Sequence, residues 1–448
     1  MDASPQVSAN EQLERNLFRK ISWRLMPLLL LGYFISFIDR ANVGVMYTPL
    51  TKALGLTPSG FGLAAGLFYI GYLLFEIPSN VAITKYGARV WLSRILITWG
   101  LVTVALAASQ GAKSFYVLRI LLGVAEAGFY PGVLFYLTLW YPKRSLHRAY
   151  SIFEVCVPIA LAAGSIVTSG LLLLDGARGF AGWQWVFVLE GVPAVALGFY
   201  MFKYMPARPQ DARWLTPDEA KFINQQVAVP VERHESETTL LLKIAKDGLS
   251  WVFSALYFSF VIAFWSVTYF LPKIVQERFH VGAVDAGLIS AIPWVAAVAV
   301  ILIVSKTSSR TGDRRWHMLV LLCAAGLGLF LSAYVQSPVI ALIGLCLGAA
   351  GMQGAVPLFW TMPSLVFQGA MNAIALAMVN SLGNLSGLAG PWILGLLTEL
   401  TGNSRAGLYV MSGFFFFSAF LAFAVSTSIT RKHERRQSTQ PGEVLGVS

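Results

Sequence analysis

The sequence predicts an all-α membrane protein built from two bundles of six transmembrane helices. Three observations lead to this prediction: an apolar composition, twelve apolar segments, and one long polar interruption between the sixth segment and the seventh. Of 448 residues, 56% are hydrophobic and 12% are charged, and the mean hydropathy is +0.65. Because soluble domains carry about 25% charged residues, we expect this chain to lie in a lipid bilayer.

Twelve apolar runs have roughly the 20 residues that a helix needs to cross a bilayer. They lie at about 24–46, 60–82, 89–109, 114–138, 149–173, 183–205, 249–272, 285–305, 316–336, 338–362, 370–397 and 407–429. The polar stretch 206–248 separates the two groups of six. We therefore expect an N-terminal tail (1–23), an N-terminal bundle (24–205), a linker (206–248), a C-terminal bundle (249–429) and a C-terminal tail (430–448).

The basic residues predict the orientation of the chain. If both tails are cytoplasmic, the loops on that side hold 25 of the 33 Lys and Arg residues, and the outer loops hold six. Cytoplasmic loops of membrane proteins carry such an excess. The first 23 residues are polar and have no cleavage site of small residues, so they predict a cytosolic tail and not a signal peptide. We expect a multi-pass protein of the cell inner (plasma) membrane with both termini in the cytoplasm.

Several other classes of protein are disfavoured. The net charge of +11 comes mainly from the inner loops, so it predicts no nucleic-acid partner. Cys156, Cys323 and Cys346 lie in apolar stretches and indicate neither a disulfide framework nor a zinc site. The five histidines lie in loops or tails, and no H-E-x-x-H motif is present. We expect no enzyme activity, no cofactor and no metal.

Four charged residues lie inside predicted spans, namely Asp39 and Arg40 in span one and Arg119 and Glu126 in span four. Ionisable groups at membrane depth are costly, and they usually mark an ion or substrate path. Arg119 and Glu126 are seven residues apart, so they share a helix face about 10 Å apart. Asp39 and Arg40 should reach the depth of Arg119, with Glu126 deeper in the membrane.

These four residues suggest a mechanism. An arginine would hold the carboxylate of a substrate while Asp39 and Glu126 exchange protons, because a proton neutralises an acid and frees its arginine. The alternative is a static cluster of salt bridges that fixes the packing of spans one and four. Apolar packing could replace such a cluster at little cost, so we favour the transport mechanism.

Three further acids in the first bundle are expected to have other roles. Glu76 and Glu154 lie near the inner ends of spans two and five, where they could pair with Lys85 and Arg148 in gating or structural contacts. Glu190 lies in the outer half of span six. It could join the proton path, but polar helix packing is the favoured interpretation.

The second bundle differs, because its spans contain no charged residue or histidine away from their ends. Coupling chemistry is therefore expected in the first bundle. Asn380 and Asn384, one turn apart, share a face and suit the hydroxyl or carboxyl groups of a bound acid; hydrogen bonding between helices is the alternative. Gly128 in span four and Gly383 in span eleven belong to glycine and proline clusters that fit either bending helices or close packing.

A repeated motif links the two bundles. KYGARVW begins at Lys85 and RTGDRRW begins at Arg310, and each lies between the second and third span of its half. Both read basic-x-Gly-x-Arg-x-Trp, which indicates duplication and is typical of transporters with parallel repeats. The residues that define the motif are expected to have gating or structural roles: Lys85, Gly87 and Arg89 in the first loop, and Arg310, Gly312 and Arg314 in the second.

Five motifs resemble the anion:cation symporter branch of the major facilitator superfamily. They are FIDRANVG (37–44), GYLLFEIPSN (71–80), KYGARVW (85–91), FYVLRILLGVAEAGFYPG (115–132) and GWQWVFVLEG (182–191). The similarity runs from about Ile21 to about Ile429. The chain departs from the wider superfamily because neither loop has an aspartate just before its basic-x-Gly stretch, so an acid-based latch is not expected there.

This resemblance implies proton-coupled symport of a small organic anion, such as tartrate, phthalate, a hydroxyphenylacetate or a sugar acid. It matches Asp39 and Glu126 to proton-coupling positions and Arg40 and Arg119 to substrate-anion and charge-network positions. Tyr72 and Trp360 match positions that line the cavity in the family. A monomer with protons, the anion and the bilayer as its partners is expected. A proton-driven drug or metabolite exporter and an uncoupled uniporter are the alternatives.

Overall fold

The computed structural model describes residues 5–227, 237–363, 366–367 and 369–438. Within these ranges the regular structure is helical and no strand occurs. The first helices are α1 (Pro5–Val45), α2 (Tyr47–Leu54), α3 (Pro58–Tyr86), α4 (Ala88–Leu106), α5 (Ala112–Glu126), α6 (Phe129–Thr138), α7 (Lys143–Leu172) and α8 (Gly182–Tyr204). They are followed by α9 (Pro217–Val227), α10 (Glu237–Lys246), α11 (Gly248–Phe279), α12 (Ala283–Thr311), α13 (Arg315–Tyr334), α14 (Pro338–Thr361), α15 (Gly369–Asn384), α16 (Ser386–Thr401) and α17 (Arg405–Ser438).

The prediction of an all-α membrane protein is confirmed. In the described part of the chain, eleven segments are helical, long and apolar enough to cross a membrane. The predicted span 370–397 forms two helices, α15 and α16, which meet at Leu385 and are each 16 residues long. Counted together as one span, they bring the total to the twelve spans that the sequence predicts.

Span four also consists of two helices. It breaks directly after Glu126, where Ala127 is extended (φ −53°, ψ 131°) and Gly128 has φ +83°. An L-residue other than glycine rarely adopts such a positive φ. Added bulk at Gly128 would also collide with the Ser79 side chain. The break therefore depends on a glycine and leaves Glu126 at the end of α5.

The chain divides into two compact units. The first unit contains Met1–Thr57, Leu67–Glu232 and Gly282–Ala291. The second unit contains Pro58–Gly66, Arg233–Val281 and Ile292–Ser448.

Two helix crossings in the first unit depend on pairs of glycines. Where α4 crosses α8, a Cβ on Gly100 would lie 2.7 Å from the carbonyl oxygen of Gly191, and the reverse distance is also 2.7 Å. Where α3 crosses α5, side chains on Gly71 or Gly123 would collide with the backbone of the facing helix. Small residues let membrane helices approach this closely. The crossings bring the side chains next to these glycines into direct reach of neighbouring helices.

The second unit is arranged around α11, which packs against α14, α15, α16 and α17. Here α13 and α14 cross at a similar glycine pair, Gly328 and Gly344, where a Cβ on either would lie 2.4 Å from the carbonyl oxygen of the other if nothing shifted. At the predicted outer end of α11, the Arg278 guanidinium donates to the carbonyl oxygens of Ser332, Ala333 and Val335. These acceptors lie at the end of α13, so the arginine caps that helix.

The linker contributes a helix to the first unit. Lys20 Nζ on α1 lies 2.8 Å from Glu219 Oε2 on α9. Trp214, just before α9, stacks on Trp140 with ring centroids 5.7 Å apart. These contacts hold α9 against the predicted cytoplasmic end of the first unit.

Candidate transport site

The four charged residues singled out in spans one and four all lie in the first unit. Arg40 on α1 and Glu126 on α5 form an ion pair with 2.6 Å between Nη2 and Oε1. Glu126 is 1% exposed. The sequence places Glu126 deeper than Arg40, and the contact shows that the arginine side chain bridges this offset. Pairing compensates part of the desolvation that each charge would suffer alone.

Asp39 points to a different set of partners from those of Arg40. Its Oδ2 accepts a 2.5 Å hydrogen bond from Trp99 Nε1 and a 3.2 Å bond from Thr103 Oγ1, both on α4. The side chain is buried, with 3% of its surface exposed. Neighbouring residues on a helix are about 100° apart, so α1 presents an acid to α4 and a base to α5. Asp39 is thus held by neutral donors, whereas Glu126 is held by a cation.

Two arginines share one aromatic ring. The guanidinium carbons of Arg40 and Arg119 lie 5.2 Å and 5.3 Å from the centroid of Phe68 on α3. Arg40 also lies 5.9 Å from the ring of Tyr72, one turn further along α3. Aromatic faces attract cations, most strongly where water is excluded. The rings of α3 therefore stabilise two positive charges close together in the membrane.

The two acids and Arg119 are connected electrostatically. The charge of Asp39 interacts with those of Glu126 and Arg119. Arg119 is 1% exposed, and it lies on the same face of α5 as Glu126. The crossing at Gly71 and Gly123 brings α3 and α5 together at this level. We define the charge cluster as Asp39, Arg40, Arg119 and Glu126.

A third buried acid, Glu190, lies beside the charge cluster. Glu190 on α8 is 5% exposed. Its Oε2 accepts from Asn42 Nδ2 at 2.6 Å, and its Oε1 accepts from Thr168 Oγ1 at 2.8 Å. The Gly100 and Gly191 crossing places Glu190 against the helix that carries the Asp39 donors. Glu190 thus joins α1, α7 and α8 by hydrogen bonds.

The candidate substrate residues of the second half lie in the second unit. Trp360 at the end of α14 lies 4.8 Å from the ring of Tyr257 and 5.3 Å from that of Phe359. Asn380 and Asn384 are half-buried on α15. Their role in binding stays a prediction, as does that of Tyr72 in the first unit.

The predicted gating residues are placed as follows. Glu154 on α7 accepts a 3.2 Å hydrogen bond from Tyr130 Oη, while the side chain of Arg148, its expected partner, lies outside the described residues. Glu76 on α3 is buried, with 8% of its surface exposed. In the two repeated loops, Lys85 and Arg310 are exposed, and Arg89 and Arg314 are half-buried. Gly87 has φ +83° and Gly312 has φ +68°.

Several residues that contact the charge cluster or Glu190 were not predicted from the sequence, namely Asn42, Phe68, Trp99, Thr103 and Thr168. They are neutral, and neutral side chains in an apolar span look like ordinary core residues. One signal was available for Asn42, because it follows Asp39 by three residues and so shares its helix face. The other four lie on α3, α4 and α7 and could be found only from the fold.

A bundle of membrane-spanning helices with a buried ion pair is typical of transporters, and the relatives of this chain are named as transporters. A family model described as the Major Facilitator Superfamily matches residues 29–391. The chain therefore belongs to this superfamily and is a multi-pass membrane transporter. This membership confirms the predicted family, and it confirms the prediction of a transporter and not an enzyme.

Two relatives and one solved structure illustrate the similarity. The chain is 35% identical over 429 residues to a protein of Agrobacterium vitis named as a candidate tartrate transporter, with 96% of this chain and 95% of the relative covered. It is 36% identical over 428 residues to a quinolone resistance transporter of Acinetobacter baumannii, with 95% and 99% covered. The xylose transporter XylE from E. coli has the same fold, with a TM-score of 0.69, 15% identity, and 94% and 98% of the chains covered.

Proposed function

We propose that this chain is a proton-coupled symporter that carries a small organic anion, a carboxylate, across the inner membrane. The observation that carries the proposal is the buried ion pair of Arg40 and Glu126. Similarity to a protein named as a candidate tartrate transporter supports a carboxylate as the substrate. The excess of basic residues in the predicted inner loops supports cytoplasmic termini.

Proton binding and anion binding are linked through Arg40. When Glu126 gains a proton, an O–H bond forms on its carboxylate and the ion pair loses its negative partner. The Arg40 guanidinium then loses the counter-ion that Glu126 supplied, and loss of compensation for a charge at membrane depth is costly. A substrate carboxylate supplies that counter-ion through charge-assisted hydrogen bonds, for which guanidinium is well suited. The anion therefore binds best after the proton.

Asp39 and Arg119 extend this site. Arg119 adds a second positive charge, 5.3 Å from the ring centroid of Phe68, so the site suits an acid with two carboxylates or with one carboxylate and hydroxyl groups. Asp39 is held by neutral donors, and it provides a second acid at which a proton can enter. Trp360, Asn380 and Asn384 are the proposed contacts for the remainder of the substrate.

The test is uptake of labelled acids by purified protein in proteoliposomes, with and without an imposed pH gradient. We expect wild type to accumulate a dicarboxylate such as tartrate only with the gradient. Asp39→Asn and Glu126→Gln should lose gradient-driven accumulation, because an amide cannot exchange a proton. Glu277→Gln is the matched control, because Glu277 is a glutamate in the second unit and is not part of the charge cluster. Its Oε2 accepts a 3.0 Å hydrogen bond from Ser404 N.

Either of two results would contradict symport. One is wild-type uptake that ignores the gradient, which would favour a uniporter. The other is full accumulation by both acid-to-amide variants, which would leave the acids without a coupling role.

Proton-driven export of a drug or metabolite is the second candidate function, because the chain is 36% identical to a quinolone resistance transporter. Buried arginines suit anions better than lipophilic cations. Export would be favoured if the proteoliposomes carried lipophilic cations or a quinolone against a gradient and carried no organic acid.

A further inference from the structure

Glu190 has no part in the mechanism proposed above, although it lies next to the charge cluster. Its two oxygens each accept one short hydrogen bond, from Asn42 and from Thr168. Both donors are neutral, and no described salt bridge includes Glu190. A carboxylate buried at membrane depth without a cation is costly in its ionised form. Glu190 is therefore suited to hold a proton for part of a transport cycle.

Asn42 is hydrogen-bonded to Glu190 and lies on the same helix as Asp39. Its amide nitrogen donates to Glu190, and its amide oxygen is buried without a donor, as is Oδ1 of Asp39. Asp39 and Asn42 are three residues apart on α1, so their side chains are neighbours on one face. The two neighbouring side chains therefore each contain a buried acceptor that lacks a hydrogen. One proton on Asp39 Oδ1 would supply it, because the new O–H could donate to Asn42 Oδ1.

The amide of Asn42 has two unlike ends. Its NH2 group serves an ionised acid, and its oxygen serves a protonated acid. With NH2 toward Glu190, the arrangement favours ionised Glu190 and protonated Asp39. If the amide rotates by half a turn, it favours ionised Asp39 and protonated Glu190. In either orientation, the amide stabilises the state in which Asp39 and Glu190 together hold one proton. It disfavours the state with two protons and the state with none.

We propose that Asp39 and Glu190 form a one-proton pair joined by Asn42, so that the coupling proton alternates between α1 and α8. This inference rests on the proposed symport and adds an acid to it. The groups that face the pair are Trp99 and Thr103 from α4 and Thr168 from α7. From α5, the charges of Arg119 and Glu126 interact with Asp39.

A one-proton pair predicts that variants change the pH at which the coupling proton is released. A packing role for Glu190 predicts no such change. The charges of Asp39 and Glu190 interact, and like charges in one site hold a shared proton more tightly than either acid alone. Removing one acid should therefore release the coupling proton at lower pH. Removing a donor to the ionised form of Glu190 should have the opposite effect.

The test is the pH profile of gradient-driven uptake of tartrate, or of whichever acid in the panel wild type accumulates. For Glu190→Gln we expect the alkaline limb of the profile to move to lower pH by about one unit, which is a tenfold weaker hold on the proton. For Thr168→Val, which keeps both acids and removes one donor to Glu190, we expect a shift to higher pH. Ser165→Ala is the matched control on α7, because Ser165 donates only to the Leu161 carbonyl of its own helix.

The outcomes separate this inference from the proposed function. If wild type shows no dependence on the gradient, symport itself fails. If wild type is gradient-driven but Glu190→Gln and Thr168→Val keep its pH profile, the one-proton pair is wrong and Glu190 only packs. If Glu190→Gln does not fold, the shift in Thr168→Val alone decides, since that variant retains every ionisable group.

Discussion

At the scale of single residues, the chemistry of an acid in this protein depends on its donors. Glu126 faces a guanidinium, Asp39 faces an indole and a hydroxyl, and Glu190 faces an amide and a hydroxyl. A cation stabilises an ionised acid more strongly than a neutral donor does. The three acids should therefore accept protons under different conditions, which suits a path along which a proton moves in steps.

Trp99→Phe should alter proton coupling without removing an acid. The variant keeps an aromatic ring but loses the 2.5 Å hydrogen bond to Asp39. Because that bond favours ionised Asp39, we expect the alkaline limb of gradient-driven uptake to move to higher pH by about one unit. The pH profile in proteoliposomes is the measurement.

Trp185→Phe is the control for Trp99→Phe. The indole of Trp185 donates to the carbonyl oxygen of Ala177 at 3.0 Å, in a loop without a buried acid. Its loss should leave the pH profile unchanged. Equal shifts in both variants would show that the effect comes from packing and not from Asp39.

The charged residues of the site could be identified from the sequence, but their partners could not. Asp39, Arg40, Arg119 and Glu126 stand out because ionisable residues are rare in apolar spans. Trp99 is one of 13 tryptophans and carries no local mark of its contact with Asp39. A hydrogen bond between residues 60 positions apart depends on how two helices cross.

At the scale of elements, the break within span four determines where a residue of the candidate site lies. The apolar pattern predicts span four as one segment, and the structure divides it after Glu126. The positive φ of Gly128 shows that the helix is broken there, and the Ser79 side chain packs against the same glycine. The division ends α5 at the acid that pairs with Arg40.

At the start of α9, Glu219 takes part in both an ion pair with Lys20 and a capping box with Thr216. Thr216 and Glu219 exchange hydrogen bonds, since Glu219 Oε2 accepts from Thr216 N and Thr216 Oγ1 accepts from Glu219 N. Burial by itself raises the pKa of Glu219, but hydrogen bonds from Lys20 and Thr216 and the charge of Lys20 outweigh it, so the pKa is lowered. The contribution to stability is therefore present at neutral pH and is lost as the pH falls through the lowered value.

Glu219→Gln should isolate the ion pair, because glutamine retains a capping box. We expect a decrease in stability of less than about 1 kcal/mol at neutral pH, as for an exposed pair. The decrease should vanish in acid below the pKa of Glu219. Thermal unfolding of the purified protein at several pH values measures it.

Asp218→Asn is the control for this variant, since Asp218 lies in the same first turn of α9. It shares the favourable position near the helix N-terminus without the contact to Lys20. A loss of stability as large as that of Glu219→Gln would mean that the helix dipole, and not the ion pair, is responsible.

At the scale of the whole molecule, the two repeated loops have matching backbone geometry. Gly87 N donates to Ile83 O and Gly312 N donates to Ser308 O, in each case to the residue four positions earlier. Both glycines have a positive φ and end the second span of their half. A side chain at either would meet nothing within 4 Å. The repeated sequence motif therefore corresponds to the same backbone geometry at the C-terminal ends of α3 and α12.

Alanine at either loop glycine should destabilise the protein for a backbone reason alone. A non-glycine residue at positive φ costs about 1–3 kcal/mol, and we expect Gly87→Ala and Gly312→Ala to cost similar amounts. Gly170→Ala is the control, because Gly170 lies within α7 and also has open space around it. Thermal unfolding is the measurement. A neutral result at one loop with a clear loss at the other would argue against equivalent loops.

The sequence by itself predicted twelve apolar spans, a transporter fold, and a candidate site built from the few charged residues inside those spans. These properties follow from the cost of placing each residue in lipid, which is local and can be read along the chain. The tertiary structure decided that Arg40 pairs with Glu126, that Asn42 bonds to Glu190, and where span four breaks. Those features depend on close helix crossings at glycines, such as Gly100 with Gly191, which bring together side chains that are far apart in the sequence.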